Sequence, residues 1–404
     1  MTIFDKFRPF LDRYTLAEQM ETNPFGMPFS AFTSPTRAAG NGRSLVLAGT
    51  NNYLGLTFDP RVKRAAKDAI DAYGTGTTGS RMANGSYRDH VSLEEGLADW
   101  LGMPSVVVTT TGYQANLAAI ATLAGPKDLL VIDRDSHASI YDACTMSRAK
   151  MVRFAHNDPK SLDEKLAKYK GSVTGSTIVV IEGLYSMFGD VAPVADFVEV
   201  CKKHGVYILI DEAHSIGVFG EEGRGVADQA GVLDEIDFFT GTFSKSFGSV
   251  GGFCASKHED FGRLQPLMRS YTFTAAPSPA DAAAAKAALP IVRDGDDLRD
   301  RLWKSAHRVH QGLKQLGFEP CSPPSPIVAV EIGSDIEGIM SWTQLIESGL
   351  YVNLALPPTT PQNACLLRLS LSAAHTEEDI ETILFAFGKL AATRESMGQS
   401  HAAE

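Results

Sequence analysis

A chain of 404 residues with 44% hydrophobic and 21% charged residues has the composition of a soluble globular protein with a large core. Its formal net charge of −11 argues against a broad footprint on nucleic-acid phosphates. Five widely spaced cysteines (Cys144, Cys201, Cys254, Cys321, Cys365) without a C-x-x-C pair read as reduced thiols, not as a disulfide frame or a zinc site. With no apolar signal region at the N-terminus and no apolar run near the ~20 residues that span a bilayer, a cytoplasmic protein is expected.

Phe4, Phe7, Phe10, Leu11 and Tyr14 stand at helical spacing and predict one short amphipathic helix. A Pro/Gly/Ser-rich extended arm follows to about residue 45. The apolar stripe suits packing on a neighbour and would also suit peripheral contact with the inner membrane. Residues 61–73 predict a helix leading into Gly74-Thr75-Gly76-Thr77-Thr78-Gly79-Ser80-Arg81. Formally this is G-x-G-x-x-G, but a dinucleotide fingerprint follows a strand and opens a helix, whereas here a helix precedes it. The loop is instead a hydroxyl-rich backbone able to line a site.

From about residue 105 the pattern alternates. Strands are predicted at 106–108, 129–133, 177–183, 206–214 and 236–239, with helices between, including one over 113–123 and one after Ser136-His137-Ala138-Ser139. Strands that are apolar throughout and separated by helices indicate a parallel sheet covered on both faces, with ligands bound off the carboxyl ends of the strands. Gly112-Tyr113, His137, Asp211, His214 and Lys245 all fall at such ends. Past residue 280 the composition shifts to helices over 282–289 and 298–316 and strands at 327–332, 351–354 and 366–370. The organisation expected is an N-terminal helix and arm (1–45), a large domain (46–280), a smaller C-terminal α+β domain (281–393) and a disordered tail (394–404).

Lys245 follows an apolar strand and sits among small residues in Thr240-Gly241-Thr242-Phe243-Ser244-Lys245-Ser246-Phe247-Gly248. Desolvation there would favour the neutral amine that forms a Schiff base. Asp211, ending the preceding strand, would keep a ring nitrogen protonated, and the pair is what pyridoxal phosphate requires. His137 would lie on the ring face. The backbone N–H groups of Gly112 and Tyr113, opening a helix, would bind the phosphate, with Thr242 and Ser244 adding hydroxyls. Each residue alone also fits a structural role; their coincidence at one layer of strand ends points to one site. Asp211-Glu212-Ala213-His214 spells the DEAH box of helicases, but no phosphate loop with Gly-Lys-Ser/Thr accompanies it. A metal site of His137, His214 and Asp211 would leave Lys245 unexplained, so no metal is expected. A scaffold subunit without activity is opposed by the intact Lys245 and Asp211.

Five stretches carry a family resemblance: Gly49-Thr50-Asn51-Asn52-Tyr53-Leu54-Gly55, the loop from Gly74 to Arg81, Asp135-Ser136-His137-Ala138-Ser139-Ile140-Tyr141, Asp211-Glu212-Ala213-His214 and Gly241-Thr242-Phe243-Ser244-Lys245-Ser246. Over nearly its whole length the chain resembles the α-oxoamine synthases, pyridoxal-phosphate enzymes of fold type I, and most of all the bacterial members that join L-serine to a long-chain acyl thioester. The resemblance implies an α/β fold with a mostly parallel central sheet, helices on both faces and a smaller C-terminal α+β domain. It implies a homodimer with active sites at the interface, Lys245 as the Schiff-base lysine and general base, Asp211 on the pyridine nitrogen and His137 stacked on the ring. It further implies His214 on the cofactor's 3-hydroxyl oxygen, Arg368 on the amino-acid carboxylate, Asn52 and Ser80 near the substrate, and Thr274 with Ala275 of the partner subunit at the phosphate. The acyl carrier would be coenzyme A or an acyl carrier protein, and the product the first sphingolipid intermediate. One departure stands out: the family's serine-using members carry an arginine before Pro-Pro-x-Thr-Pro, where this chain has Leu356. That weakens the choice of serine over alanine or glycine.

Overall fold

The computed structural model describes residues 2–19, 23–357, 360 and 363–402. The chain forms two compact units: residues 1–51, 187–189 and 301–404 make one, residues 52–186 and 190–300 the other.

The first unit opens with a turn at Asp5–Phe7 and the helix Arg8–Gln19, as the aromatic spacing predicts. Phe4 and Phe7 at the turn and Phe10 on the helix are exposed, while Tyr14 stacks on Phe25 with ring centroids 5.5 Å apart. The expected extended arm is instead an antiparallel meander, β1 (Phe29–Ser34), β2 (Arg37–Gly40) and β3 (Arg43–Leu47). Asn41 and Gly42 join β2 to β3 with φ of 49° and 70°. Two residues in the left-handed region are what a type I′ hairpin demands, and Asn-Gly is its usual pair, so the turn was legible in the sequence.

The second unit is built on a seven-stranded sheet in the order β4-β10-β9-β8-β7-β5-β6. Its strands are β4 (Ser105–Thr109), β5 (Leu129–Asp133), β6 (Lys150–Phe154), β7 (Thr177–Glu182), β8 (Tyr207–Asp211), β9 (Phe238–Thr242) and β10 (Gly252–Ser256). All neighbours pair in parallel except β10, which runs antiparallel to both β4 and β9. Strands β5, β7, β9 and β10 are buried at every residue, the signature of a sheet covered on both faces. The sequence reading did not contain β6 or β10. β6 is an edge strand carrying Lys150 and Arg153, so its apolar signal is diluted; in β10 Phe253 is the one large apolar residue, beside Gly252, Cys254, Ala255 and Ser256. Nor does the strand before Lys245 stop at residue 239: β9 continues through Thr240, Gly241 and Thr242. A Cβ on Gly241 would come within 2.7 Å of the Phe253 ring, so glycine is what lets β10 lie against it.

The alanine-rich helix Pro279–Arg293 packs on Pro60–Tyr73 and Arg88–Leu101 and therefore belongs to this unit. The expected boundary at residue 280 moves to Asp300. Small faces allow the close approach: a Cβ on Gly96 would meet Leu289 at 2.9 Å. Beyond it the first unit resumes with β11 (Ile327–Glu331), β12 (Leu350–Tyr351), β13 (Asn353–Ala355) and β14 (Leu366–Ser370). β11, β14 and β13 form an antiparallel sheet, while β12 joins the N-terminal meander by pairing in parallel with β3. The expected tail from Arg394 continues the helix Glu377–Ala402; residues 403 and 404 lie outside the described residues, as do 358, 359, 361 and 362 of the segment following Leu356.

Glu212, fully buried just past β8, ties the loop that follows β8 to residues 226–227. Its carboxylate accepts from the N–H groups of Ala227 (2.8 Å) and Val226 (3.1 Å) and from the Ser215 hydroxyl. Gly183 and Gly225 make room, since a Cβ there would fall 2.1 and 2.7 Å from the carboxylate. Burial pushes the carboxyl up to about 7 against these donors. Replacing Glu212 with alanine strands three buried donors, at about 1–3 kcal/mol each before relaxation. Glu212→Ala is expected to lose about 3 kcal/mol of stability by urea denaturation; an unchanged midpoint would refute this role.

Candidate active site

Parallel register places Glu182 of β7, Asp211 of β8 and Thr240 of β9 in one row at the carboxyl edge of the sheet. All three are buried. Asp211 takes one donor on each oxygen, the Asn116 amide at 2.7 Å and the Ala213 N–H at 2.9 Å. Asn116 is the junction of this corner: its amide also donates to Ser139 Oγ at 2.9 Å, and its carbonyl accepts from the Thr240 hydroxyl at 2.9 Å. A carboxylate has about four acceptor positions, so Asp211 keeps capacity toward the cavity that it lines.

His137 caps the helix Ala138–Ser147, its Nδ1 accepting from Ser139 N–H at 3.2 Å. Its backbone N–H donates to the Glu182 carboxylate at 2.5 Å. Burial lowers its affinity for a proton, more than the Asp211 charge restores, and Lys245 lowers it further, so the imidazole is held below its ordinary value. A neutral ring face toward the cavity follows. Burial, and then the Asp211 charge, push the Glu182 carboxyl well above the ordinary range.

Lys245 is presented on a loop anchored from behind. Phe243 and Phe247 are buried with ring centroids 5.3 Å apart, and Ser246 donates to the Ile216 carbonyl at 2.7 Å. Gly248 turns the chain at φ 64°, where a Cβ would meet Thr57 N at 2.6 Å. The lysine is half-buried, less shielded than the sequence reading expects, because Ser244 beside it is exposed.

At the other end, Thr111 caps the helix Gly112–Leu123, accepting from Gln114 N–H at 3.2 Å. The amides of Gly112 and Tyr113 have no upstream helical carbonyl to bond, and the helix dipole adds partial positive charge. Gly112 lies so close to β9 that a Cβ would meet Thr242 at 2.8 Å. The Thr242 and Ser244 hydroxyls are 2.8 Å apart beside it. His214 closes the wall, Nδ1 2.8 Å from the Tyr53 hydroxyl. These residues enclose a cavity of about 260 Å³. An anion-binding helix terminus, an amine, a buried carboxylate with spare acceptor capacity and a neutral ring face form a donor set that fits pyridoxal phosphate. Among the described residues no grouping of His, Cys, Asp and Glu suits a metal ion.

The structure thus brings together Gly112, Tyr113, His137, Asp211, His214, Thr242, Ser244 and Lys245. Thr274, Ala275, Ser80 and Asn52 do not line the cavity. Thr274 accepts from the Gln114 amide at 3.1 Å, and the Ala275 carbonyl from the Thr110 hydroxyl at 2.6 Å. The Ser80 carbonyl accepts from Gly85 N–H at 2.9 Å inside its own loop, and the Asn52 amide donates to Thr57 Oγ at 2.7 Å. Arg368 belongs to the other unit, buried on β14, where its guanidinium donates to Ser370 Oγ (2.8 Å) and Asn51 Oδ1 (3.3 Å). The sequence reading missed Asn116, Glu182, Ser139 and Tyr53. Glu182 could have been found by the rule that picked Asp211, since it also ends a strand with a charge; Asn116 sits inside a helix and carries no such mark.

Residues 44–387 match the family model of aminotransferase class I and II. The chain is 47% identical to serine palmitoyltransferase of Caulobacter vibrioides over 97% of each chain. It is 39% identical to 8-amino-7-oxononanoate synthase of Geobacter sulfurreducens, over 88% of this chain and 91% of that one. A solved structure of SPT with a PLP internal aldimine superposes with a TM-score of 0.94 at 42% identity, covering 97% of this chain and 99% of that one.

Because Asn116 donates its side-chain amide to Asp211 and binds Thr240 and Ser139 besides, its loss should be felt as a cofactor-binding defect. A charge-assisted hydrogen bond is worth about 1.5–3 kcal/mol, or roughly 10- to 150-fold. Asn116→Ala is expected to weaken binding of pyridoxal phosphate by that factor, read by absorbance titration of apoprotein. Wild-type affinity would remove Asn116 from the site.

Proposed function

We infer, since the chain belongs to the aminotransferase class I and II family and within it to the α-oxoamine synthases, that it is a pyridoxal-phosphate-dependent acyltransferase, and we propose that it is a serine C-palmitoyltransferase. The reaction joins L-serine and a long-chain acyl thioester, takes up one proton and releases CO2 and the thiol carrier, giving 3-ketodihydrosphingosine, the first sphingolipid intermediate. A C–C bond forms between serine Cα and the acyl carbonyl carbon; the thioester C–S bond and the bond from Cα to the carboxylate break. The observation that supports it most is the single cavity shared by Asp211, His137, Lys245 and a helix N-terminus.

Pyridoxal phosphate, when bound, supplies an electron sink for negative charge developing at Cα. Asp211 holds a proton at the ring nitrogen, and Asn116 and Ala213 keep that carboxylate in place. His137, its proton affinity lowered by desolvation, would cover the ring face. The amides of Gly112 and Tyr113, the hydroxyls of Thr242 and Ser244, and Thr274 with Ala275 of the partner subunit hold the phosphate. His214, bonded to the Tyr53 hydroxyl, would meet the ring oxygen. The Lys245 amine takes the Cα proton and later returns one. Arg368, held by Asn51 and Ser370, binds the serine carboxylate, with Asn52 and Ser80 close by. The acyl carrier is coenzyme A or an acyl carrier protein, the working form a homodimer, and the exposed aromatic residues at the N-terminus suit peripheral contact with a membrane. No helix among the described residues is long and apolar enough to cross a membrane.

Absorbance titration with serine, alanine, glycine and threonine, followed by a panel of short- to long-chain thioesters on coenzyme A and on acyl carrier protein, tests the reading. Preference for alanine would instead favour the 8-amino-7-oxononanoate synthase type, in keeping with the 39% identity to the Geobacter enzyme and with Leu356. Asp211→Asn should retain the fold and lower kcat by about two to three orders of magnitude, the scale of one preorganised electrostatic partner. Near-normal turnover would reduce Asp211 to a strand-end cap. Arg368→Ala should raise the serine KM roughly 10- to 150-fold, as loss of a charge-assisted contact predicts; unchanged serine binding would overturn that assignment.

A further inference from the structure

His156 lies just past β6, outside the cavity, and none of the roles above uses it. One ring nitrogen is 2.9 Å from Asp133 Oδ1 and the other 2.7 Å from Asp190 Oδ2. Ionised carboxylate oxygens only accept, so an imidazole held between two of them donates from both nitrogens and carries a positive charge. Burial pulls its pKa down, but hydrogen bonds to Asp133 and Asp190 outweigh this and raise it to about 10. The other groups facing it are Asp135, with Oδ2 3.9 Å away and its own carboxyl raised by burial, and the Tyr185 ring, standing edge-on with centroids 4.5 Å apart.

These contacts reach the cavity wall. Asp133 is the last residue of β5, and its carboxylate also fixes the N–H groups of Asp135 (2.8 Å) and Asn157 (2.9 Å). Asp190 stands opposite Tyr185 at the base of a loop that the bridge between Leu184 and Val191 closes, with Tyr185 N–H donating to the Asp190 carbonyl at 3.0 Å. The Asn157 amide holds Asp190 Oδ2 from the other side at 2.6 Å. The Tyr185 hydroxyl accepts from Glu182 N–H at 3.4 Å. Glu182 in turn receives the His137 N–H, and both line the cavity.

We propose that His156 is a positioning residue: by bonding Asp133 and Asp190 through its two nitrogens it clasps the end of β5 to the base of the loop 184–191, and so fixes Tyr185, Glu182 and His137 where the cavity needs them. The consequence for the cofactor rests on the function proposed above; the clasp itself does not. The sign of its pH dependence follows from the raised value. Its contribution to stability is complete below the ordinary histidine pKa near 6.5 and is lost as pH rises through about 10.

The test compares wild type, His156→Gln, Asp190→Asn and the double variant. Two readouts are used: urea denaturation at pH 7 and pH 10.5, and absorbance titration with pyridoxal phosphate. Glutamine is uncharged and carries its donors on one nitrogen, where the imidazole bonds through two, so His156→Gln should have a lower urea midpoint than wild type at pH 7, a gap that closes by pH 10.5. It should also bind the cofactor about tenfold more weakly, the equivalent of one lost hydrogen bond. Removing the cation together with one anion should do less harm than the two single changes added. A gap that persists unchanged at pH 10.5, or strictly additive variants, would overturn the clasp. Wild-type cofactor affinity in His156→Gln would overturn its reach to the cavity. If His156→Gln does not fold, Asp190→Asn carries the same comparisons, with a smaller gap that likewise closes at high pH. A wild-type protein that fails to bind pyridoxal phosphate would refute the function while leaving the pH comparison to judge the clasp.

Discussion

A carboxylate buried at the end of a parallel strand is costly unless donors meet it, and Asp211 is the residue on which this site depends. Water is replaced by the amide of Asn116 and the N–H of Ala213, one on each oxygen. Asn116 can serve it only because its other partners, Thr240 and Ser139, hold the amide in one orientation. The strand β8, the neighbouring strand β9 and two helices are thereby fixed to a single side chain, and the acceptor capacity left on Asp211 has one direction to face. That corner is rigid before any ligand arrives, which is what an electrostatic partner of a ring cation requires.

Charge state elsewhere follows from who donates to whom. His137, open to the cavity, and His156, half-buried, both lie close to carboxylates, yet they differ. His137 accepts at Nδ1 from a backbone N–H and is left neutral by burial. His156 meets carboxylate oxygens at both nitrogens and is charged. The neutral ring faces the cavity, where a second cation beside Lys245 would be repelled. The charged ring stands behind it, where it neutralises acidic side chains at strand ends.

Glycine decides how closely the backbone can approach at two points. Gly112 lets the opening turn of its helix sit on Thr242, bringing free amides and two hydroxyls into one cradle. Gly248 reverses the chain after Lys245 in a left-handed conformation, with no room for a side chain beside Thr57. Between these points the lysine is placed by its buried neighbours Phe243, Ser246 and Phe247, so a flexible side chain starts from a fixed backbone.

Local rules were enough to read the buried strands β5, β7 and β8, the helices after Gly112 and His137, and the residues Lys245, Asp211, His137 and His214, because strand ends and helix starts are marked by short-range changes in polarity. They would also have been enough for Glu182 and for the Asn41-Gly42 hairpin. Tertiary structure alone decided the rest. Asn116 is one polar residue within a helix, and only the crossing of that helix over β8 and β9 gives it three partners. β10 is rich in small residues, and it becomes a strand because β4 and β9 leave an antiparallel place between them. The helix Pro279–Arg293 joins the unit that precedes it because its alanine face fits Pro60–Tyr73 and Arg88–Leu101, some 200 residues earlier in the chain. The charge on His156 arises from Asp133 and Asp190, 23 residues before it and 34 after. Each of these is set by partners far apart in sequence, which no local pattern of polarity encodes.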